Sequence, residues 1–168
     1  RINSGKIPLT NAELIKALFL NSSNFIKKDD KEELRLTQLE IGSEWDRIEY
    51  ALQDDSFWLF INEEQNELPT RIEFIFDLMI EPVDDKRNDN YSTFRAFNKR
   101  FKNKSRDLIS ENWKEVKRCF QTLEEWYRDR ELYHKVGFLI STGTNIREIL
   151  DGYNNQSKSA FKNWLTSM

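Results

Sequence analysis

Four cations recur at helical spacing in the most basic segment of the chain and form its best candidate for a phosphate-binding surface. They are Arg95, Lys99, Lys102 and Arg106. At about 100° per residue they fall on one side of a helix, about 140° from a stripe of phenylalanines. Cations aligned in this way can contact successive phosphates of a nucleic-acid backbone. An ordinary solvated face, or a docking face for an acidic protein surface, stays open as the alternative.

Charge is distributed unevenly along the 168 residues, although 26 Lys and Arg nearly balance 29 Asp and Glu. Residues 29–81 hold 16 acidic and 4 basic side chains, whereas residues 92–107 hold 6 basic and 1 acidic. The acidic region is therefore an alternative partner for the basic stripe within the same chain. Phe94, Phe97 and Phe101 have amphipathic spacing, which predicts core side chains and not base-stacking platforms.

Residues for catalysis or metal binding are scarce. The single histidine, His134, and the single cysteine, Cys119, cannot supply a Cys/His zinc site or an internal disulfide. The chain has no phosphate-binding glycine loop and no calcium-loop spacing. We therefore predict no catalytic residue, no metal site and no cofactor in this chain. His134 is expected to be an ordinary helix residue, and Cys119 a small buried one.

Composition predicts an all-α protein. The chain has 5 Gly and 3 Pro, too few for a turn-rich sandwich or barrel, and its aromatic content of 13% argues against disorder. We predict a compact irregular bundle of about eight helices in a single domain over residues 1–168. Residues 1–9 are expected to be a loop from a missing upstream domain, and residues 82–91 a mobile loop. The solitary cysteine and the lack of an apolar run of about 20 residues predict a cytoplasmic protein without a membrane segment.

Local signals place the helix boundaries. Thr10 and Glu13 form a capping box that begins the first helix. Residues 56–61 favour a buried helix, and residues 71–80 favour a helix capped by Thr70, although their alternation also fits a strand. Further helices are expected over residues 92–103 and from Ser110 onward. Another is expected over residues 132–140, with Gly143 ending it, and the next follows a cap at Thr144. A separate, final helix carries Phe161, Trp164 and Leu165.

The first fourteen residues, Arg-Ile-Asn-Ser-Gly-Lys-Ile-Pro-Leu-Thr-Asn-Ala-Glu-Leu, resemble a motif of a bacterial family. This is the S-type, ParB-like family of GmrSD-type modification-dependent restriction systems. Residues 45–49, 71–77 and 132–140 resemble its helical half and occur in the expected order. The resemblance covers nearly the whole chain, and its first and last blocks are the more specific ones.

The resemblance implies an upstream ParB-like domain whose D-G-Q-Q-R motif binds and hydrolyses a nucleotide. In some members a downstream His-Me finger nuclease cuts DNA. This chain contains no D-G-Q-Q-R and no nuclease motif, so neither active site can be transferred to it. Only Arg1, Asn3 and Gly5 match a family motif, and they are predicted to lie close to the nucleotide site. The nucleotide and a divalent metal would belong to the parent protein.

We therefore expect a non-catalytic helical module that couples nucleotide hydrolysis to DNA binding or cleavage in a phage-defence protein. The alternative is a scaffold for protein–protein contact or dimerisation with no direct DNA contact. A free-standing enzyme ranks below both, because no nucleophile–base pair or metal set is visible.

Overall fold

The prediction of an all-α fold is confirmed. The computed structural model describes residues 7–21, 31–65, 67–81, 90–101, 106–154 and 156–168, and none of these residues lies in a β-strand. Those ranges contain nine helices, in agreement with the expected eight or so. They are α1 (Asn11–Leu20), α2 (Lys31–Leu52), α3 (Asp55–Ile61), α4 (Glu73–Met79), α5 (Ser92–Phe101), α6 (Arg106–Arg128), α7 (Arg130–Ser141), α8 (Ile146–Asn154) and α9 (Lys158–Ser167).

Two of the predicted helix ends follow from local chemistry alone. The Glu13 amide donates to Thr10 Oγ1 at 3.2 Å, and the Thr10 amide donates to Glu13 Oε2 at 2.7 Å. This reciprocal pair confirms the capping box and begins α1. At the end of α7, Gly143 has φ = 100° and the Thr144 amide reaches back to the Leu139 carbonyl at 2.9 Å. Glycine adopts this left-handed conformation without a Cβ clash, so it ends the helix as predicted.

Two of the predicted caps are wrong. Thr70 does not cap α4, whose N-cap residue Ile72 has helical backbone angles and makes no side-chain cap bond. Backbone bonds to the Thr70 and Arg71 carbonyls tighten this start instead. At α8 the capping acceptor is the Asn145 side chain, which receives the Arg147 amide at 2.7 Å. Asparagine is among the best N-cap residues, and here it stands next to the helix.

The helical prediction for residues 71–80 holds against the strand alternative, because α4 covers most of them. The long helix α6 begins at Arg106, four residues before the predicted start at Ser110. No glycine or proline interrupts residues 106–109, so the helix can extend through them. Two predicted loops are described only in part, because residues 1–6 of the first and residues 82–89 of the second lie outside the described residues.

The helices divide between two compact units. The first comprises residues 1–51 and 68–117, and the second comprises residues 52–67 and 118–168. Helix α6 contributes to the first unit up to Lys117 and to the second from Arg118. The prediction of a single domain over residues 1–168 stays a prediction.

An aromatic core holds the first unit together. Trp45 of α2 contacts Phe76 of α4 at 5.3 Å between ring centroids and stacks on Trp113 of α6 at 6.1 Å. Phe76 meets Phe97 of α5 edge to face at 5.1 Å, and Phe19 of α1 meets Trp113 at 5.3 Å. All five side chains are buried. Their large apolar surfaces supply much of the burial free energy of this unit, and α1 and α4 both pack against α5.

The second unit has an aromatic core of its own. Trp126 of α6 stacks on Phe161 of α9 at 5.5 Å, and Phe161 meets Tyr153 of α8 edge to face at 5.0 Å. Phe57 of α3 contacts Phe120 of α6 at 6.1 Å. Helix α9 packs against both α7 and α8. No described helix combines the length and the apolar composition that crossing a membrane requires.

Candidate nucleic-acid interface

The basic helix α5 has the amphipathic character predicted from its sequence. Of the three phenylalanines predicted for the core, Phe97 is buried and Phe94 is half-buried, and the side chain of Phe101 lies outside the described residues. Thr93 is also buried, whereas Arg95 and Lys99 are exposed. The buried side packs on α1 and α4, so the first unit's core holds the helix in place. Arg95 and Lys99 are four residues apart and therefore neighbours on one helix face.

The four predicted cations are divided between two helices. Arg95 and Lys99 lie on α5, which ends at Phe101, and Arg106 is the first residue of α6. Lys102 and the side chain of Arg106 lie outside the described residues. The structure therefore brings together two of the four cations. The assignment of all four as phosphate contacts stays a prediction.

A buried polar cluster lies directly beneath the start of α5, and its centre is Asn11 at the first position of α1. Asn11 Nδ2 donates to Glu73 Oε1 at 2.8 Å and to the Asn90 carbonyl at 2.7 Å. Asn11 Oδ1 accepts from the Phe94 amide at 3.2 Å. One side chain thus satisfies groups on α4, on α5 and on the residue pair before α5. A buried amide that makes all these bonds fixes the three segments relative to one another.

Glu73 is the charged member of this cluster. It is 5% exposed, and its second carboxyl oxygen, Oε2, has no hydrogen-bond partner among the described residues. Burial raises the pKa of Glu73 above its usual 4.5, the bond from Asn11 opposes the rise, and the charge of Asp77 adds to it. The cause is that a charged carboxylate loses its hydration when it is buried.

Asp77 and Thr93 form the second bridge between α4 and α5. Thr93 Oγ1 donates to Asp77 Oδ1 at 2.6 Å. Glu73 and Asp77 are four residues apart on α4, so both acidic groups lie on the same side of that helix. The polar cluster therefore consists of Asn11, Glu73, Asp77 and Thr93, and it joins α4 and the first turn of α1 to the first turn of α5.

Sequence reasoning missed this cluster, although two signals were visible. Glu73 and Asp77 interrupt an otherwise apolar run at a spacing of four, which places two carboxyls on one face of a buried helix. Asn11 directly follows Thr10, the N-cap residue of α1, and an asparagine at the start of a helix is easily interpreted as part of the cap. Its partner Glu73 is 62 residues away, and no local pattern predicts such a contact.

The other residues considered in the sequence analysis form no further site among the described residues. His134 is exposed and packs edge to face on Tyr133 at 5.5 Å. Cys119 is buried as predicted, and desolvation raises the pKa of its thiol to about 12 despite the opposing charge of Arg147. Arg1, Asn3 and Gly5 lie outside the described residues. Within the described ranges, no group of three or more His, Cys, Asp or Glu side chains is placed to hold a metal ion.

Comparisons with family models, with curated proteins and with solved structures find no match to this chain. The resemblance to the S-type family of GmrSD-like systems thus stays a prediction from the sequence motifs.

Proposed function

We propose that this chain is the helical module of a bacterial GmrSD-like restriction or phage-defence protein. In this proposal it is non-catalytic by itself and couples a nucleotide-hydrolysing domain to the binding or cleavage of DNA. Arg95 and Lys99, with Lys102 and Arg106, contact DNA phosphates. Arg1, Asn3 and Gly5 lie near the nucleotide site of an upstream ParB-like domain. The nucleotide, its divalent metal, a downstream His-Me finger nuclease and a cytoplasmic location all belong to this proposal.

The observation that carries the proposal is the bond between Asn11 and the Phe94 amide, 3.2 Å long. Asn11 lies in the motif of residues 1–14 that resembles the family, and Phe94 precedes the first cation of the basic helix. Because α1 also packs along α5, a displacement of the motif segment would act directly on the helix that carries Arg95 and Lys99. This contact supports a mechanical route from a nucleotide site to a DNA-binding face.

The test is a titration of a labelled DNA duplex with the 168-residue chain at two salt concentrations. Four phosphate contacts predict a slope of roughly −3.6 in log K against log salt, which is roughly a 100-fold loss of affinity for a four-fold rise in salt. Reversing the charge of all four cations to Glu should abolish binding. A plain and a modified duplex are compared in the same way, since a preference would locate the sensor of DNA modification in this module.

A matched control also reverses four cations, all exposed and elsewhere on the chain: Lys114→Glu, Arg118→Glu, Arg128→Glu and Arg130→Glu. This control variant should bind DNA much more tightly than the variant of the four predicted phosphate contacts. Equal losses in both variants would mean that only net charge matters, and the assignment of the basic face would fail. An upstream D-G-Q-Q-R in the reading frame that encodes the chain would support the family assignment, and its absence from a complete frame would contradict it.

The second candidate is the scaffold for protein–protein contact. The exposed apolar side chains of α2, which include Leu36, Leu39 and Tyr50, favour it. No binding of DNA at low salt, together with a mass that rises with protein concentration, would favour the scaffold over the DNA-binding module.

A further inference from the structure

Helix α2 has two faces that both carry large apolar side chains. Ile41, Trp45, Ile48 and Leu52 are buried, and they form the side that faces the core. On the opposite side Leu36, Leu39 and Tyr50 are 60%, 57% and 82% exposed. With Ser43 and Arg47 between them, these residues have spacings of 3, 4, 4 and 3, the period of one helix face. The two sides are about 170° apart at 100° per residue, so the core cannot cover both.

We propose that this exposed stripe, made of Leu36, Leu39, Ser43, Arg47 and Tyr50, is a self-association surface. Its occupant is the same stripe on a second copy of the chain, running antiparallel. A two-fold axis at Ser43 places Leu36 of each copy against Tyr50 of the other. Such a contact is isologous and closes as a dimer.

Charge complementarity selects the second copy and the antiparallel direction. Glu40 precedes the Ser43 crossing by three residues and Arg47 follows it by four, so each comes within reach of the other across the axis. Within the described part of the chain, neither Glu40 nor Arg47 takes part in an ion pair. Asp46 lies on the opposite flank of the stripe from Glu40 and is already paired with Lys16 at 3.5 Å.

At the point where the two copies of α2 would cross, the helix carries small residues. Ser43 is small, and the neighbouring Gly42 has open space where a Cβ would stand. Glycine weakens a helix interior, and no described side chain requires it at this position. Small residues at a crossing let two helix backbones approach closely. The stripe covers about 15 residues, or about 21 Å of helix, so it is smaller than the interfaces of stable complexes and predicts a weak dimer.

Sedimentation velocity of the full 168-residue chain without DNA, from low micromolar to several hundred micromolar, tests the proposal. We expect a monomer–dimer equilibrium that Leu36→Glu removes, because this substitution sets a charged carboxylate against Tyr50 of the other copy. The matched control is Leu59→Glu on α3, which alters another exposed leucine (54% exposed) and should leave the equilibrium unchanged. A chain that stays monomeric at the highest concentration, or a loss of dimer in both variants, would overturn the proposal.

The antiparallel arrangement of the two α2 helices has a separate test. Glu40→Arg and Arg47→Glu each set like charges against each other at both ends of the homodimer, and each should weaken self-association roughly ten-fold. Mixing the two variants makes every 40–47 contact attractive again, so the mixture should dimerise where neither variant does alone. Failure of the mixture to recover would overturn the antiparallel arrangement. The pairing does not depend on the proposed DNA contact, since DNA binding is measured with other variants.

Discussion

Asn11 and Glu73 are 62 residues apart in the chain, and a buried hydrogen bond of 2.8 Å joins their side chains. The bond fastens the first turn of α1 to the first turn of α4. Asn11 also donates to the Asn90 carbonyl and accepts from the Phe94 amide. Both N–H groups and the oxygen of its side-chain amide are therefore hydrogen-bonded. The stability of the first unit should therefore depend on a single amide.

Asn11→Ala should destabilise the protein by about 3 kcal/mol. The substitution leaves the Phe94 amide, the Asn90 carbonyl and the Glu73 carboxyl without this partner, and each buried polar group left unsatisfied costs about 1–3 kcal/mol. Urea unfolding followed by circular dichroism measures the change. Asn163→Ala, at an exposed position on α9, is the matched control and should change stability by less than about 0.5 kcal/mol. Similar losses in the two variants would contradict the role of the cluster.

Glu73 should make stability fall as the pH rises. Its pKa is raised in the folded protein above 4.5, the value in an unfolded chain, so the folded state holds this proton more tightly. Stability is therefore lost from about pH 4.5 upward, until the folded carboxyl has also ionised. The contribution of Glu73 is most favourable below pH 4.5.

Glu73→Gln measures this contribution, since glutamine keeps an oxygen that accepts from Asn11 but does not ionise. The stability of the variant relative to the native chain should rise as the pH increases through that window. Urea unfolding at a series of pH values gives the comparison. The exposed Glu148→Gln serves as the control and should show no such trend. A difference between Glu73→Gln and the native chain that is independent of pH would contradict the raised pKa.

Two helical glycines should respond oppositely to alanine. A Cβ at Gly152 would lie 2.6 Å from Cη2 of Trp164, and that ring packs on Phe161 at 5.8 Å. Gly152→Ala must displace the ring and should destabilise the protein by about 1–2 kcal/mol. A Cβ at Gly137 meets nothing within 4 Å, so Gly137→Ala should stabilise α7 by up to about 1 kcal/mol. Thermal unfolding of both variants checks this, and stabilisation by Gly152→Ala would show that the contact is not restrictive.

The Cys119 thiol should be inert in the folded protein. Its pKa is raised to about 12 by burial, and the thiolate is the species that reacts with disulfide reagents. The reaction with a chromogenic disulfide should proceed at a rate set by unfolding, and it should accelerate in urea in parallel with the loss of helical signal. A fast reaction in native buffer would mean that the α6 segment around Cys119 opens locally.

Much of the fold could be predicted from local patterns. The capping box at Thr10 and the left-handed stop at Gly143 use atoms within a few residues of each other, so the sequence contains all the interacting partners. The amphipathic spacing of α5 likewise predicts that Phe97 is buried and that Arg95 and Lys99 are exposed, because a helix face turns with a fixed period. The caps at Thr70 and Thr144 failed for a related reason. A threonine close to a helix start does not by itself fix the residue at which the helix begins. Near Thr70 the backbone carbonyls accept the first amides of α4, and next to Thr144 the Asn145 side chain caps α8.

The sequence by itself determined that the chain is helical, where several helices begin and end, and which face of each is apolar. Only the tertiary structure decided that Asn11 meets Glu73, and that the second apolar side of α2 is left uncovered. These facts depend on which helices pack against each other, and helix packing brings together residues far apart in the chain. Periodicity determines the face that a helix buries, whereas tertiary packing determines its partner.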